Sequence, residues 1–123
     1  MRVNHISPVL YTKDIKATVD FYVTILGFTC EGIAEEWGWT RVQKDSIELM
    51  FSKPNEHTPF DTPAFTGSFY FNISGVDELW EKVKDTAPVC YAPENFDYGM
   101  REFAVYDNNG YLLQFGEEIA AAS

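Results

Sequence analysis

Short runs of alternating apolar and polar residues dominate this chain, broken by two stretches with helical spacing. In SIELMFS, Ile47, Leu49 and Phe51 alternate with Ser46, Glu48 and Met50, the period of a strand with one buried face. Ile15, Val19, Tyr22 and Leu26 recur at helical spacing, with Asp14 before them as N-cap and Gly27 after them as stop. Read end to end, the pattern occurs twice. The first copy runs from Ile6 to Ser52: strand ISPVLYT, helix DIKATVDFYVTILG, then strands FTCEGIA, WGWTRVQ and SIELMFS. The second runs from Phe69 to Gly116: FYFNIS, helix GVDELWEKVKDT, then APVCYAP, MREFAVY and YLLQFG. Ile15 corresponds to Val76, and Glu48 to Gln114. In the second helix Val76, Leu79, Trp80 and Val83 form the buried stripe, and Ser74 with Asp77 reads as a capping box.

A repeat of this length is one supersecondary unit, and neither copy can bury its sheet face alone. The expected fold is therefore α+β: two βαβββ repeats whose mixed sheets curve into a cleft, with function where the sheets meet. The whole chain, 1–123, reads as a single domain, with a first repeat over about 1–53 and a second over about 66–118. The stretch KPNEHTPFDTP between them, about 53–65, carries three prolines and no periodicity, so it reads as a linker. The tail, 119–123, reads as frayed.

Alternation also separates core from cleft. A turn at Lys44-Asp45 sets Gln43 opposite Ser46, Arg41 opposite Glu48 and Trp39 opposite Met50. Trp37, Trp39, Arg41, Glu48 and Met50 then share the open face of the first sheet. His5, Ser7, Val9 and Tyr11 form the open row of the first strand. In the second copy Ser68, Tyr70 and Asn72 are open, Phe69, Phe71 and Ile73 are core, and Gln114 faces the cleft between Leu113 and Phe115. Trp80 and Phe71 are assigned to the core.

Composition narrows the function classes. The chain has 123 residues, 46% of them hydrophobic, the make-up of a folded domain. No run approaches the roughly 18 apolar residues of a membrane span, and MRVNHISPVL lacks a signal-peptide pattern, so a cytoplasmic protein is expected. Cys30 and Cys90 are then expected as two buried thiols rather than a disulfide. A net charge of −10 makes nucleic acid and anionic membranes poor partners. Aromatic residues at 16% fill the core and, where exposed, suit flat cationic ligands. Glu35-Glu36 and Glu117-Glu118 read as solvated surface charge. Neither a phosphate-binding loop nor a dinucleotide fingerprint is found, and no nucleophile elbow accompanies Ser7, Ser68 or His5.

The stretch PVLYTKDIKATVDFYVTILGF resembles the opening of the glyoxalase / bleomycin resistance / extradiol dioxygenase superfamily, the vicinal oxygen chelate fold. REFAVYDNNGYLLQFGEE resembles its closing hairpin, where an Asp-x-x-Gly turn precedes the last strand. The likeness covers about Ile6 to Glu118. Within the superfamily, DYGMREFAVYDNNG and ISGVDELWEKV resemble segments of bleomycin resistance proteins.

The resemblance implies where a metal would sit in the superfamily's enzymes: at Ser7, Glu48, Ser68 and Gln114 of this chain. Only Glu48 is an anionic ligand, and a catalytic zinc, nickel or iron site needs histidine or carboxylate at three or more positions. No metal, no other cofactor and no catalytic residue is therefore expected. The alternative is a divergent metal-dependent lyase or dioxygenase relying on His5 and Glu48, which supply two ligands. An Arg41–Glu48 ion pair filling the old metal position is the structural reading of those two residues.

Bleomycin resistance proteins, by the same resemblance, are homodimers that bind a cationic glycopeptide between subunits without altering it. The expected function is thus small-molecule binding of the antibiotic-resistance type: sequestration of a cationic aromatic compound in a cleft at the interface of an intertwined homodimer. The ligand-binding residues expected in the first copy are Trp37, Trp39, Arg41, Glu48 and Met50. In the second copy they are Tyr70, Phe96, Tyr98, Arg101 and Gln114, with Phe96 and Tyr98 in the loop-like PENFDYGM, where exposed aromatics mark recognition.

Overall fold

A computed structural model describes residues 1–34, 38–54, 57 and 60–120. The chain divides into two compact units, Met1–Pro63 and Ala64–Ser123, so the boundary falls in the proline-rich stretch. Each unit is a four-stranded mixed sheet with a helical segment, and the fold is α+β with two βαβββ repeats. No helix among the described residues is long and apolar enough to cross a membrane.

In the first unit β1 (Val9–Tyr11) leads into α1 (Ile15–Asp20), which widens into a π-helical turn over Phe21–Ile25. β2 (Thr29–Ala34), β3 (Trp39–Lys44) and β4 (Ile47–Ser52) follow. The order across the sheet is β1-β4-β3-β2, with β1 parallel to β4 and the other pairs antiparallel. Asp14 caps α1 by accepting the Ala17 amide at 3.0 Å. The helix buries Ile15, Phe21 and Tyr22, and the Tyr22 ring lies 5.0 Å from that of Phe51 and 5.6 Å from that of Phe28.

The hairpin between β3 and β4 turns at Asp45-Ser46 rather than Lys44-Asp45. Asp45 takes a left-handed conformation, φ 53°, which aspartate tolerates better than most side chains. Lys44 pairs with Ile47, Gln43 with Glu48, Arg41 with Met50 and Trp39 with Ser52. The expected cross-strand partners are therefore displaced by two residues. Because side chains alternate with period two, the displacement preserves the faces: Thr40, Val42, Leu49 and Phe51 are buried beside half-buried Trp39, Arg41, Glu48 and Met50, while Ile47, next to the turn, is exposed rather than core.

The second unit repeats the plan with β5 (Phe69–Asn72), α2 (Val76–Val83), β6 (Val89–Asn95), β7 (Met100–Tyr106) and β8 (Leu112–Glu118). Its order is β5-β8-β7-β6, with β5 parallel to β8. Phe115 stacks on Phe71 and Phe103 with centroids 5.0 and 5.3 Å apart, and Trp80 of α2 lies 5.3 Å from Phe103. This is the core that alternation assigns to Phe71, Trp80 and Phe115.

Three expectations are corrected here. Ser74 does not cap α2. The N-cap is Gly75, at φ 87° and with no side chain to offer, and the Glu117 carboxylate of β8 accepts the Gly75 and Val76 amides at 2.9 and 3.2 Å. Glu117 is thus a helix cap rather than solvated surface charge. Neither cysteine is in a disulfide, and neither is buried as expected: Cys30 is half-buried and Cys90 is exposed.

Replacing Glu117 by alanine is expected to cost about 1–2 kcal/mol of stability, because a cap and an anion at a helix N-terminus are lost together. Ser74→Ala is expected to cost far less. Urea denaturation midpoints of the two variants check this; equal losses would contradict the cap assignment.

Candidate functional site

In the first unit the open face centres on Glu48. Its Oε2 accepts a short hydrogen bond from the Ser7 hydroxyl, and its Oε1 lies 3.4 Å from Arg41 Nη1. His5 Nε2 stands 4.0 Å from Glu48, and Arg41 Nη2 also lies 3.9 Å from Glu31. Arg41 Nε is buried with no hydrogen-bond partner among the described residues. Met50 lies between Arg41 and Val9 across the sheet, and Trp39 is two residues along β3 on the same face. Trp37, together with Glu35 and Glu36, lies outside the described residues.

The second unit carries the corresponding pair, since the Ser68 hydroxyl donates a short bond to Gln114 Oε1. Here the network extends further. Gln114 Nε2 donates to Tyr91 Oη at 2.8 Å and to Glu102 Oε2 at 3.3 Å. Glu102 on β7 is 1% exposed and collects three tyrosine hydroxyls. Tyr91 donates to Oε2, Tyr98 to Oε1, both through short bonds, and Tyr70 to Oε1 at 3.2 Å. Around this carboxylate the Phe96 ring stacks on Tyr98, centroids 5.4 Å apart and planes 8° from parallel, and meets Tyr91 edge-on at 5.9 Å.

Local structure explains each position. Glu102 lies opposite Gly116 of β8, and a Cβ at Gly116 would fall 1.9 Å from Tyr70 Oη. The missing side chain is the space in which Tyr70 crosses the sheet. Irregularities in β6 on both sides of Tyr91 aim its ring at Glu102. The turn 96–99 closes with hydrogen bonds between Phe96 and both Met100 and Gly99, which folds Tyr98 back over the sheet.

The structure brings together Tyr70, Phe96, Tyr98 and Gln114 in the second unit, and Trp39, Arg41, Glu48 and Met50 in the first. Arg101 is the exception. Alternation along β7 puts it on the side opposite Glu102, with Phe103, where its Nε and Nη2 each lie 3.0 Å from Asp77 of α2 and its Nη1 donates to Asn95 at 3.1 Å. It does not join the aromatic group. Glu102 and Tyr91 are residues the sequence reading missed. The signal was present, since Phe103 and Val105 mark the core side of β7 and so leave Glu102 and Ala104 on the face of Gln114.

The Glu102 carboxylate also governs its neighbours. Burial, then the bond to Glu102, push the Tyr91 phenol up to about 12. Tyr98 is raised as well, first through its bond to Glu102, and Tyr70 through desolvation and then the Glu102 charge. Each tyrosine is held as a neutral donor.

The residues at the superfamily's metal positions do not fit a catalytic divalent ion. Ser7 and Ser68 are neutral hydroxyls already donating, Gln114 is a neutral amide engaged at both ends, and Glu48 faces the Arg41 guanidinium, whose charge a metal would have to displace.

Residues 2–115 match the family model of the glyoxalase/bleomycin resistance protein/dioxygenase superfamily. The chain belongs to that superfamily. Solved structures of it share the fold. A bleomycin resistance determinant encoded on the transposon Tn5 aligns with TM-score 0.73 and 23% identity over 94% of this chain and 98% of its own. A glyoxalase/bleomycin resistance protein/dioxygenase from Nocardioides aligns with TM-score 0.78 and 16% identity over 100% and 88%. A lactoylglutathione lyase from Agrobacterium tumefaciens aligns with TM-score 0.70 and 18% identity over 95% and 96%. At these identities the likeness is one of fold. No curated protein matches the sequence significantly. The superfamily thus includes enzymes and resistance determinants on one scaffold, and the side chains of each site must decide between them.

The raised tyrosines give a pH signature. A phenol whose pKa is higher in the folded state contributes stability that is fully present below the ordinary value of 10.0 and is lost as pH rises through about 12 for Tyr91. Ultraviolet titration of tyrosinate is expected to show a late-ionising group that moves back toward 10 in Glu102→Gln. Gly116→Ala is expected to expel Tyr70 and remove its share of that late group, which the same titration reads.

Proposed function

We propose that this protein is a small-molecule binding protein of the bleomycin-resistance type, which sequesters a flat, cationic compound without changing it. The observation that carries this reading is the cluster in the second unit: a carboxylate, Glu102, set among the rings of Tyr70, Tyr91, Phe96 and Tyr98. Aromatic faces favour stacking and cation–π attraction, the carboxylate favours positive charge, and a net charge of −10 draws cations toward the protein. The first unit, taken by itself, has its own open face, on which Trp39 and Met50 are the apolar surface and the Glu48–Arg41 ion pair the polar one.

By analogy with bleomycin resistance proteins, the proposal includes a homodimer with the ligand at the subunit interface, a cytoplasmic location and a role in drug resistance. A metal-dependent lyase or dioxygenase is the competing reading. It would have to draw on His5 and Glu48, and two ligands are too few for a catalytic ion.

Tryptophan fluorescence titrated with metal-free bleomycin tests the proposal. Saturation near one ligand per subunit, at an affinity on the order of micromolar or tighter and unchanged by EDTA, is the expected result. A flat titration would remove the drug from the proposal, and binding abolished by chelation would favour the enzyme.

A further inference from the structure

Two carboxylates are buried in the second unit, and they differ in what holds them. Asp107, 2% exposed, accepts the backbone amides of Asn109 and Tyr111 at 2.8 and 2.9 Å and so closes the turn before β8. Among the described residues, Glu102 accepts only from side chains. No lysine, arginine or histidine among the described residues forms an ion pair with it. A buried charge without a cation is costly, and an apolar residue would serve packing better. Glu102 therefore calls for an explanation beyond the fold.

Its two oxygens are unequal. Oε2 is held by Tyr91 and Gln114, from the sheet itself. Oε1 is served by the two most exposed donors, Tyr70 at 45% and Tyr98 at 64% exposure. The Tyr70 bond is long, 3.2 Å. Tyr98 belongs to the four-residue turn 96–99, and its ring is stacked on Phe96.

We propose that Glu102 Oε1 is the anchor for a cationic nitrogen donor on the ligand, an amidinium, guanidinium or primary ammonium group, and that Tyr98 is a placeholder that yields its bond when the cation arrives. This deepens the binding reading above and rests on it. A charge-assisted N–H···O bond is stronger than the neutral phenol bond it replaces. When Tyr98 swings away, the Phe96 face that it covered is open to the flat part of the ligand, and the Tyr91 ring beside it favours positive charge. Tyr91 and Gln114 continue to orient the carboxylate throughout.

Calorimetric titration with benzamidine, a flat aromatic cation, and with its neutral isostere benzamide tests the assignment. The wild-type protein is expected to bind benzamidine at least tenfold more tightly than benzamide. Glu102→Gln, nearly isosteric, is expected to lose about tenfold in benzamidine affinity, the scale of one hydrogen bond to a charged group. Tyr98→Phe is expected to bind benzamidine several-fold more tightly, because the competing donor is gone. Equal binding of benzamidine and benzamide, no binding of benzamidine, or a Glu102→Gln affinity equal to wild type would each overturn the anchor. Should Glu102→Gln fail to fold by circular dichroism, the benzamidine-to-benzamide ratio and Tyr98→Phe still decide. Metal-free bleomycin run in parallel separates the two levels: bleomycin binding without benzamidine binding defeats the anchor alone, and the absence of both defeats the binding reading as well.

Discussion

A carboxylate buried against a β-sheet must be given hydrogen bonds, and the second unit is arranged around giving them to Glu102. Its cross-strand neighbour is Gly116, which leaves room for Tyr70. β6 is irregular on both sides of Tyr91, the 96–99 turn folds Tyr98 inward, and Gln114 divides its amide between Ser68, Tyr91 and Glu102. Each carboxylate oxygen is served twice, Oε2 by Tyr91 and Gln114 and Oε1 by Tyr70 and Tyr98, so Glu102 stays hydrogen-bonded when one donor leaves.

The two repeats meet the same constraint differently. Each joins a serine before its first strand to a polar side chain on its last strand, Ser7 to Glu48 and Ser68 to Gln114. In the first unit the charge on Glu48 is answered by Arg41. In the second unit the last-strand residue is neutral, and the carboxylate is that of Glu102 on the neighbouring strand, to which neutral hydroxyls and an amide donate. On the first face Arg41 stands between Glu48 and Glu31, whereas the Glu102 carboxylate lies among aromatic rings with no cation paired to it among the described residues.

Much of this was legible in the sequence, and what was not has a physical reason. Period-two alternation placed Leu49, Phe51, Leu113 and Phe115 in the core and Glu48, Met50 and Gln114 on the open faces. It tolerated an error in the β3–β4 turn, because a displacement by two residues preserves faces. The same alternation, carried through β7 from buried Phe103, separates Glu102 from Arg101; placing Arg101 with the ligand took the register of this hairpin off by one residue. The cap of α2 by Glu117 was not readable, since it joins residues far apart in sequence and the local Ser74-Asp77 pattern offered a competing answer. The convergence of Tyr70, Tyr91 and Tyr98 on one carboxylate likewise depends on β6 irregularities and a turn whose geometry composition does not specify.

The claim at the centre of this account is that a metal-free, carboxylate-centred aromatic face holds its ligand and leaves it intact. The most direct measurement is to incubate the protein with metal-free bleomycin in EDTA, isolate the complex, release the ligand and determine its mass. Recovery of unaltered bleomycin in stoichiometric amount is the predicted result. A changed mass, or a complex that forms only when a divalent metal is restored, would contradict it.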